Sequence, residues 1–394
     1  MDTDLPGTIR IACAPGLAPC LEAEVRRLGY AIVAVEDTGI TISGTLRDAM
    51  DLNLQLRTAF YVLYLIDEFV CHTPDDLYRH LSFIEWEKWL APDGYLSIIS
   101  RVDTPAINNW VYASMKAKDA IVDRMAEKTG RRPDSGPERN RFVLNLYWRK
   151  DRCWLYFNTS GQKLSDRGYR RIPHTAPMQE TLAAGVILST GYDGTMPLVN
   201  PMCGSGTLAI EAALIATNRP PGLLRSNFGF MHALNYDSQA WEQIRNEARK
   251  QRSKAPPAPI IATDIDPRAV EAARKNAMTA GVEHLIQFET CDFADTSMPA
   301  EPGIIILNPE YGERLGQVNE LEKTYKRIGD FFKQKCVGWT GYVFTGNLDL
   351  AKKLGLKASR RMPFFNAKIE CRLLKYELYE GSRRKDEGGS VKDE

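Results

Sequence analysis

Apolar and polar positions change their period several times along the chain, and those changes mark its elements. Residues 8–13 (Thr-Ile-Arg-Ile-Ala-Cys) read as a strand, and Leu17, Leu21, Val25 and Leu28 recur at helical spacing before Gly29. Ala31–Val35 and Ile40–Ile42, split by Glu-Asp-Thr-Gly, predict a hairpin, and Leu46–Leu56 predicts a second helix. Residues 1–59 therefore form a small α+β unit. A similar unit follows over 60–160. It has a strand at 62–70, a helix at 74–90 anchored by Phe83, Trp86 and Trp89, a strand at 95–102, a helix at 110–128 and a hairpin at 142–157.

From residue 161 the rhythm becomes strand–helix alternation. A helix over 178–189 leads to the apolar run before Asn200-Pro-Met-Cys-Gly-Ser-Gly-Thr207, and Ala209–Ile215 reads as the next helix, with Thr207 as its expected cap. Three later apolar runs, 260–263, 285–289 and 303–307, end near Asp264, Asp292 and Asn308-Pro-Glu-Tyr311. Asp266 and Pro267 start a helix that stops at Gly281. A helix at 321–335, a strand at 341–345, a helix at 349–354 and a hairpin at 360–379 complete the order. The fold class is α/β: an open, doubly wound sheet over 161–380 whose site lies at the carboxyl ends of its strands. Residues 219–259 are an insertion in that domain, and the charged tail 381–394 is expected to be disordered.

Composition changes this picture little. The 394 residues are 44% hydrophobic and 26% charged, as in a globular protein of two or three domains. With 51 Lys+Arg against 50 Asp+Glu, any nucleic-acid surface must be local. The eight cysteines lack a Cys-x-x-Cys pair and the five histidines supply no ligand spacing, which predicts reduced, mostly buried thiols and no metal site. Neither a signal-like N-terminus nor a membrane-length apolar run is present, so a cytoplasmic protein without a membrane partner is expected.

The candidate chemistry lies at the strand ends. Gly204 and Gly206 let backbone approach a ligand closely, and Asp264 at a strand tip can accept hydrogen bonds from both hydroxyls of a ribose. A nicotinamide-binding fold places its acidic residue about 20 residues after the glycines, far short of Asp264, so that fingerprint fits poorly. Asn308-Pro-Glu-Tyr311 suits an exocyclic base amine. The Asn308 side-chain oxygen and the Pro309 carbonyl can accept its two hydrogens, and Tyr311 can stack on a splayed-out base.

Taken in order, Gly204-x-Gly206, Asp264, Asp292 and Asn308-Pro-x-Tyr311 resemble the S-adenosylmethionine-dependent amino methyltransferases of the Rossmann-like class I fold. That resemblance implies a methionine-binding loop at Pro201, Cys203, Gly204, Ser205, Gly206 and Thr207. It places the ribose on Asp264 and the adenine amine on Asp292, with Phe293 or Ile265 packing on the ring and Asn308 bordering the cofactor. Pro201–Ala213, Pro221-Gly-Leu-Leu-Arg225 with Phe228 and Phe230, Asn158-Thr-Ser-Gly161, Arg167-Gly-Tyr-Arg170 and Tyr311-Gly-Glu-Arg-Leu-Gly316 narrow the resemblance further. They are similar to the RlmL type of the UPF0020 family, large-subunit rRNA guanine-N2 methyltransferases. The N-terminal units are then a ferredoxin-like unit (1–59) and a THUMP RNA-binding domain (60–160). RNA is the implied partner, with Lys116, Lys118, Arg131, Arg132, Arg139, Arg141, Arg167 and Arg170 as phosphate contacts and 23S rRNA as the expected substrate. The chain lacks the second methyltransferase half fused in some family members, so one modification is expected. It also departs from the family's Asn-Pro-Pro-Tyr by carrying Glu310. A tRNA guanine-N2 enzyme and a catalytically silent RNA-binding or ribosome-assembly factor are the alternatives.

Overall fold

The computed structural model describes residues 5–107, 109–172, 178–311 and 318–379. The expectations for the 381–394 tail and for the Gly312–Gly316 part of the Tyr311 motif lie outside the described residues. Two compact units divide the chain: Met1–Gly168 with Arg219–Arg252, and Tyr169–Asn218 with Ser253–Glu394.

The first unit runs β1 (Gly7–Cys13), α1 (Ala18–Arg27), β2 (Ile32–Glu36), β3 (Gly39–Gly44), α2 (Leu46–Gln55), β4 (Ala59–Val70) and α3 (Pro74–Phe83). It continues with β5 (Tyr95–Asp103), α4 (Trp110–Thr129), β6 (Asp134–Ser135), β7 (Phe142–Arg149) and β8 (Arg152–Asn158). All eight strands join one sheet in the order β2-β3-β1-β4-β8-β7-β5-β6. Strand β4 pairs with β1 through Ala59–Tyr64 and with β8 through Leu63–Val70. The two α+β units read from the sequence thus share a strand, and a boundary at residues 59 and 60 falls at its start. Helices α2 and α3 begin with the capping boxes Thr45/Asp48 and Thr73/Asp76.

The helix expected to reach Leu90 ends at Phe83 instead. Trp86 is fully buried and its indole N–H donates to the Leu81 carbonyl at 2.8 Å, satisfying a helix-terminal acceptor while the chain turns away. Phe83 is left 75% exposed and anchors nothing, whereas Trp86 and Trp89 do.

The second unit opens with α5 (Glu180–Ser189), β9 (Leu198–Pro201) and α6 (Thr207–Ala216). The next segment, which contains α7 (Ser238–Lys250), is an insertion in sequence yet packs within the first unit. Two bare backbones explain the fit. A Cβ on Gly222 would lie 2.6 Å from Leu54 Cα, and one on Gly229 would lie 2.2 Å from the Asn158 carbonyl oxygen. The Arg225 guanidinium donates to the carbonyls of Lys163, Asp166, Ser160 and Gln162, and burial pushes its pKa down to about 10.

The second unit then continues with β10 (Ile260–Asp264), α8 (Pro267–Ala280), β11 (Ile286–Thr290), β12 (Ile304–Leu307), α9 (Val318–Lys335), β13 (Thr340–Thr345), α10 (Leu348–Lys352), β14 (Arg360–Asn366) and β15 (Ile369–Glu377). The sheet order is β11-β10-β9-β12-β13-β15-β14. The first five strands are parallel, and β15 pairs antiparallel with both β13 and β14. Ile304–Leu307 is buried throughout, as expected of a parallel strand covered on both faces. The strand order reverses between β9 and β12, which puts the crevice of a doubly wound sheet at their carboxyl ends.

Candidate functional site

The glycine loop leaves β9 at this crevice. Gly204 and Gly206 take φ of 55° and 82°, where side chains are disfavoured, but they serve different ends. A Cβ on Gly206 would meet the Ala273 Cβ at 2.8 Å, so this glycine lets α6 approach α8. A Cβ on Gly204 would meet nothing within 4 Å and would point into open space. Gly206, not Thr207, occupies the helix cap, because its positive φ already turns the chain into α6. Thr207 is the first helical residue, and its hydroxyl accepts from Arg170 at 3.3 Å. The loop is held by Asn276 of α8, whose amide donates to the Ser205 and Ile172 carbonyls and accepts from the Arg171 and Ile172 amides. Pro201 ends β9, and burial drives the Cys203 thiol far above its ordinary range, with Asp264 adding to the shift.

Asp264 lies at the tip of β10. One carboxylate oxygen accepts the Gly204 amide at 2.9 Å and the other the Asp266 amide at 3.0 Å. Each oxygen keeps a further acceptor position, so the carboxylate is oriented by the loop without being saturated. Next to it Ile265 is 69% exposed. Asp292 follows β11, and its Oδ1 accepts from the Ala294 amide and from Arg327 at 2.8 Å. Arg327 in turn lies 4.9 Å above the Phe293 ring. That ring is only 5% exposed and packs edge-on against Phe331 in the core. Of the two apolar side chains expected to pack on an adenine, Ile265 is therefore open and Phe293 is committed to the interior.

Two central strand tips supply buried acceptors. Asn200 Nδ2 donates to the Ile306 carbonyl at 2.9 Å, which ties β9 to β12. The Oδ1 atoms of Asn200 and Asn308 are both buried without a hydrogen-bond partner among the described residues. Leaving such an oxygen unsatisfied costs about 1–3 kcal/mol. Pro309 is buried and Glu310 is exposed.

Tyr311 is fixed from the opposite edge of the sheet. Its hydroxyl accepts from Asn366 at 2.9 Å, and Cys371 lies 3.8 Å away. Its ring lies so close to Gly346 that a Cβ there would meet Tyr311 at 2.9 Å. Burial pushes the hydroxyl pKa up to about 12, against the downward pull of the Asn366 bond. Neither Asn366 nor Gly346 stands out in the sequence beyond a turn-like Asn-Ala-Lys, because their partner lies on another strand.

The basic residues separate into groups. Arg167 is 1% exposed and donates to the Leu164 and Arg57 carbonyls, and Arg170 is tied to Glu180, Thr207 and the Met178 carbonyl. Both hold the chain together, which corrects their expected role as phosphate contacts. Lys116 pairs with Asp75, Lys118 with Asp119 and Arg132 with Asp123. Arg131, Arg139 and Arg141 are exposed, the last over the Tyr95 ring at 5.5 Å. Among the described residues, no group of three or more His, Cys, Asp or Glu could hold a metal, and no helix is long and apolar enough to cross a membrane.

Three family models match in order: the RlmL ferredoxin-like domain at 8–63, the THUMP domain at 71–158, and the UPF0020 model, described as an RMKL-like methyltransferase domain, at 167–375. A ribosomal RNA large subunit methyltransferase K/L from Syntrophotalea carbinolica is 37% identical over 381 residues, 94% of this chain and 53% of that protein. The Synechocystis sp. protein slr0064, assigned by name to the RNA methyltransferases, is 34% identical and is covered over 95% of its length. The chain spans about half the length of the K/L relatives it matches. Among solved structures, SMU.472, described as a methyltransferase and solved with SAH, superposes with a TM-score of 0.86 at 28% identity, covering 98% of this chain and all of that one. A Listeria monocytogenes protein titled an N6-adenine-specific DNA methylase gives 0.85 at 32% identity, over 94% of this chain and 96% of that one. With that catalytic-domain match over 167–375, and relatives above 30% identity along most of its length, the chain belongs to the UPF0020 family of RMKL-like methyltransferase domains.

Proposed function

We propose that this protein transfers a methyl group from S-adenosylmethionine to the exocyclic N2 of a guanine in RNA, with 23S rRNA as the substrate. The observation that carries the reading is Asn308 Oδ1, a buried acceptor with no partner among the described residues. An amine hydrogen supplies the missing bond, and the Pro309 carbonyl takes the second hydrogen. A base amine is a poor nucleophile because its lone pair is delocalised into the ring. Two acceptors that hold its hydrogens turn that lone pair toward the methyl donor, so rate comes from alignment and placed dipoles rather than from a strong base.

The cofactor supplies an electrophilic methyl on a sulfonium, and the residues present fit it. Gly204 leaves open space at the loop. Asp264 has acceptor capacity for the ribose hydroxyls, Asp292 Oδ2 is available to the adenine amine, and exposed Ile265 offers an apolar surface. Tyr311 presents its ring to the acceptor base.

RNA is favoured over DNA by the THUMP match and by the relatives named for rRNA, although one structural neighbour is named for adenine in DNA. The test is methyl transfer from labelled S-adenosylmethionine to unmodified rRNA, tRNA and DNA, followed by nucleoside analysis. N2-methylguanosine in the 23S fraction is expected. Label in tRNA alone points to the tRNA enzyme, N6-methyladenine overturns the base assignment, and cofactor binding without any transfer leaves the silent factor, with Glu310 as its cause.

A further inference from the structure

We infer that the edge strand β14 and its turn into β15 form an RNA-backbone track that delivers the acceptor nucleotide to Tyr311. This deepens the RNA-methylation reading and rests on it. Lys357, Arg360, Arg361 and Lys368 are all exposed, and none has an ion-pair partner among the described residues. The carboxylates of the facing strand are already engaged: Glu370 by Arg372 and Glu377 by Lys375. Lys116 and Lys118 on α4 and Arg132 beyond its end differ in this respect, since they are neutralised by Asp75, Asp119 and Asp123.

Register gives the track its direction. Met362 and Phe364 are buried on one face of β14, which leaves Arg361, Pro363 and Phe365 on the other, with Arg372 opposite Pro363. From Arg361 to Asn366 the strand runs about 17 Å, a span several nucleotides long. It ends at the Asn366–Ile369 turn, where Asn366 holds the Tyr311 hydroxyl and Ile369 meets the same Gly346 position as the Tyr311 ring. Cations and a proline on an edge strand also prevent strand addition. What points beyond that role is the turn itself, which is bonded to the residue that faces the acceptor base. Unpaired cations are available to phosphates without first breaking an ion pair, and each contact releases counterions.

The test is binding of a 20-nucleotide single-stranded RNA of mixed sequence by anisotropy across a salt series, with the full chain and its Lys357→Gln/Arg361→Gln/Lys368→Gln variant. Three lost phosphate contacts lower the magnitude of the log K against log[salt] slope by about 2. S-adenosylmethionine affinity and circular dichroism stay unchanged, and Lys116→Gln/Lys118→Gln lowers the slope less. An unchanged slope in the triple variant overturns the track, as does aggregation of that variant with RNA binding intact, which would mark edge protection alone. If the wild-type chain shows no salt-dependent RNA binding, the RNA reading itself falls and the track with it.

Discussion

Gly204 and Gly206 are two residues apart, both at positive φ, and an alanine at each should fail in a different way. A left-handed backbone costs an L-residue about 1–2 kcal/mol, and both variants incur it. At Gly204 the new methyl meets nothing within 4 Å, so that cost is the whole effect on stability. At Gly206 it meets the Ala273 Cβ at 2.8 Å and its Cα at 3.1 Å, and separating α6 from α8 adds the overpacking cost of about 1–3 kcal/mol. Thermal unfolding should therefore shift by only a few degrees for Gly204→Ala and by roughly twice as much for Gly206→Ala. Calorimetric titration with S-adenosylmethionine should show the opposite severity, with Gly204→Ala losing most affinity because its methyl fills the cradle. If Gly204→Ala binds the cofactor as wild type does, the open space beside that residue is not where the ligand lies and the assignment of the loop is wrong.

Other perturbations separate the remaining roles. Asp264→Ala should weaken cofactor binding at least tenfold by titration, since it removes both the ribose acceptor and the anchor of the Gly204 amide; unchanged affinity would refute the ribose assignment. Gly346→Ala places a methyl 2.9 Å from the Tyr311 ring, and should reduce methyl transfer while sparing cofactor affinity; equal loss of both would show general unfolding instead. Tyr311→Phe and Asn366→Ala each remove one end of a single hydrogen bond worth about 1 kcal/mol, so the double variant should lose no more stability than the worse single one. With its hydroxyl pushed up to about 12, Tyr311 stays neutral throughout ordinary assays. The folded state favours the protonated phenol, so its contribution to stability is fully present below about pH 10 and is lost progressively as pH rises from there through about 12. The alkaline side of the rate profile between pH 7 and 9 should accordingly be the same in wild type and Tyr311→Phe.

The strand-tip carboxylates and Asn308 were legible in the sequence because each follows an apolar run, and a parallel strand delivers the residue after it to the crevice. Adjacency does not reveal which way a side chain turns. Phe293 follows Asp292 yet packs against Phe331, while Ile265 beside Asp264 stays open. Arginine-rich stretches predict phosphate contacts, but Arg167 and Arg170 are consumed by carbonyls and by Glu180, partners no local pattern announces. Asn366 reaches Tyr311 across 55 residues of chain, and the basic character of β14 acquires meaning only once that turn is seen beside the acceptor residue. The destination of the 219–252 segment was hidden for the same reason: Gly222 and Gly229 are bare to fit backbone more than 60 residues earlier.

The Asn308 oxygen as acceptor for the base amine is tested most directly by the single-turnover methyl-transfer rate of Asn308→Ala at saturating cofactor. A fall of roughly 100-fold or more is expected, comparable to the loss of one placed polar group from an active site, with S-adenosylmethionine affinity within a few-fold of wild type. A near-normal rate would mean that the buried oxygen has no part in aligning the amine.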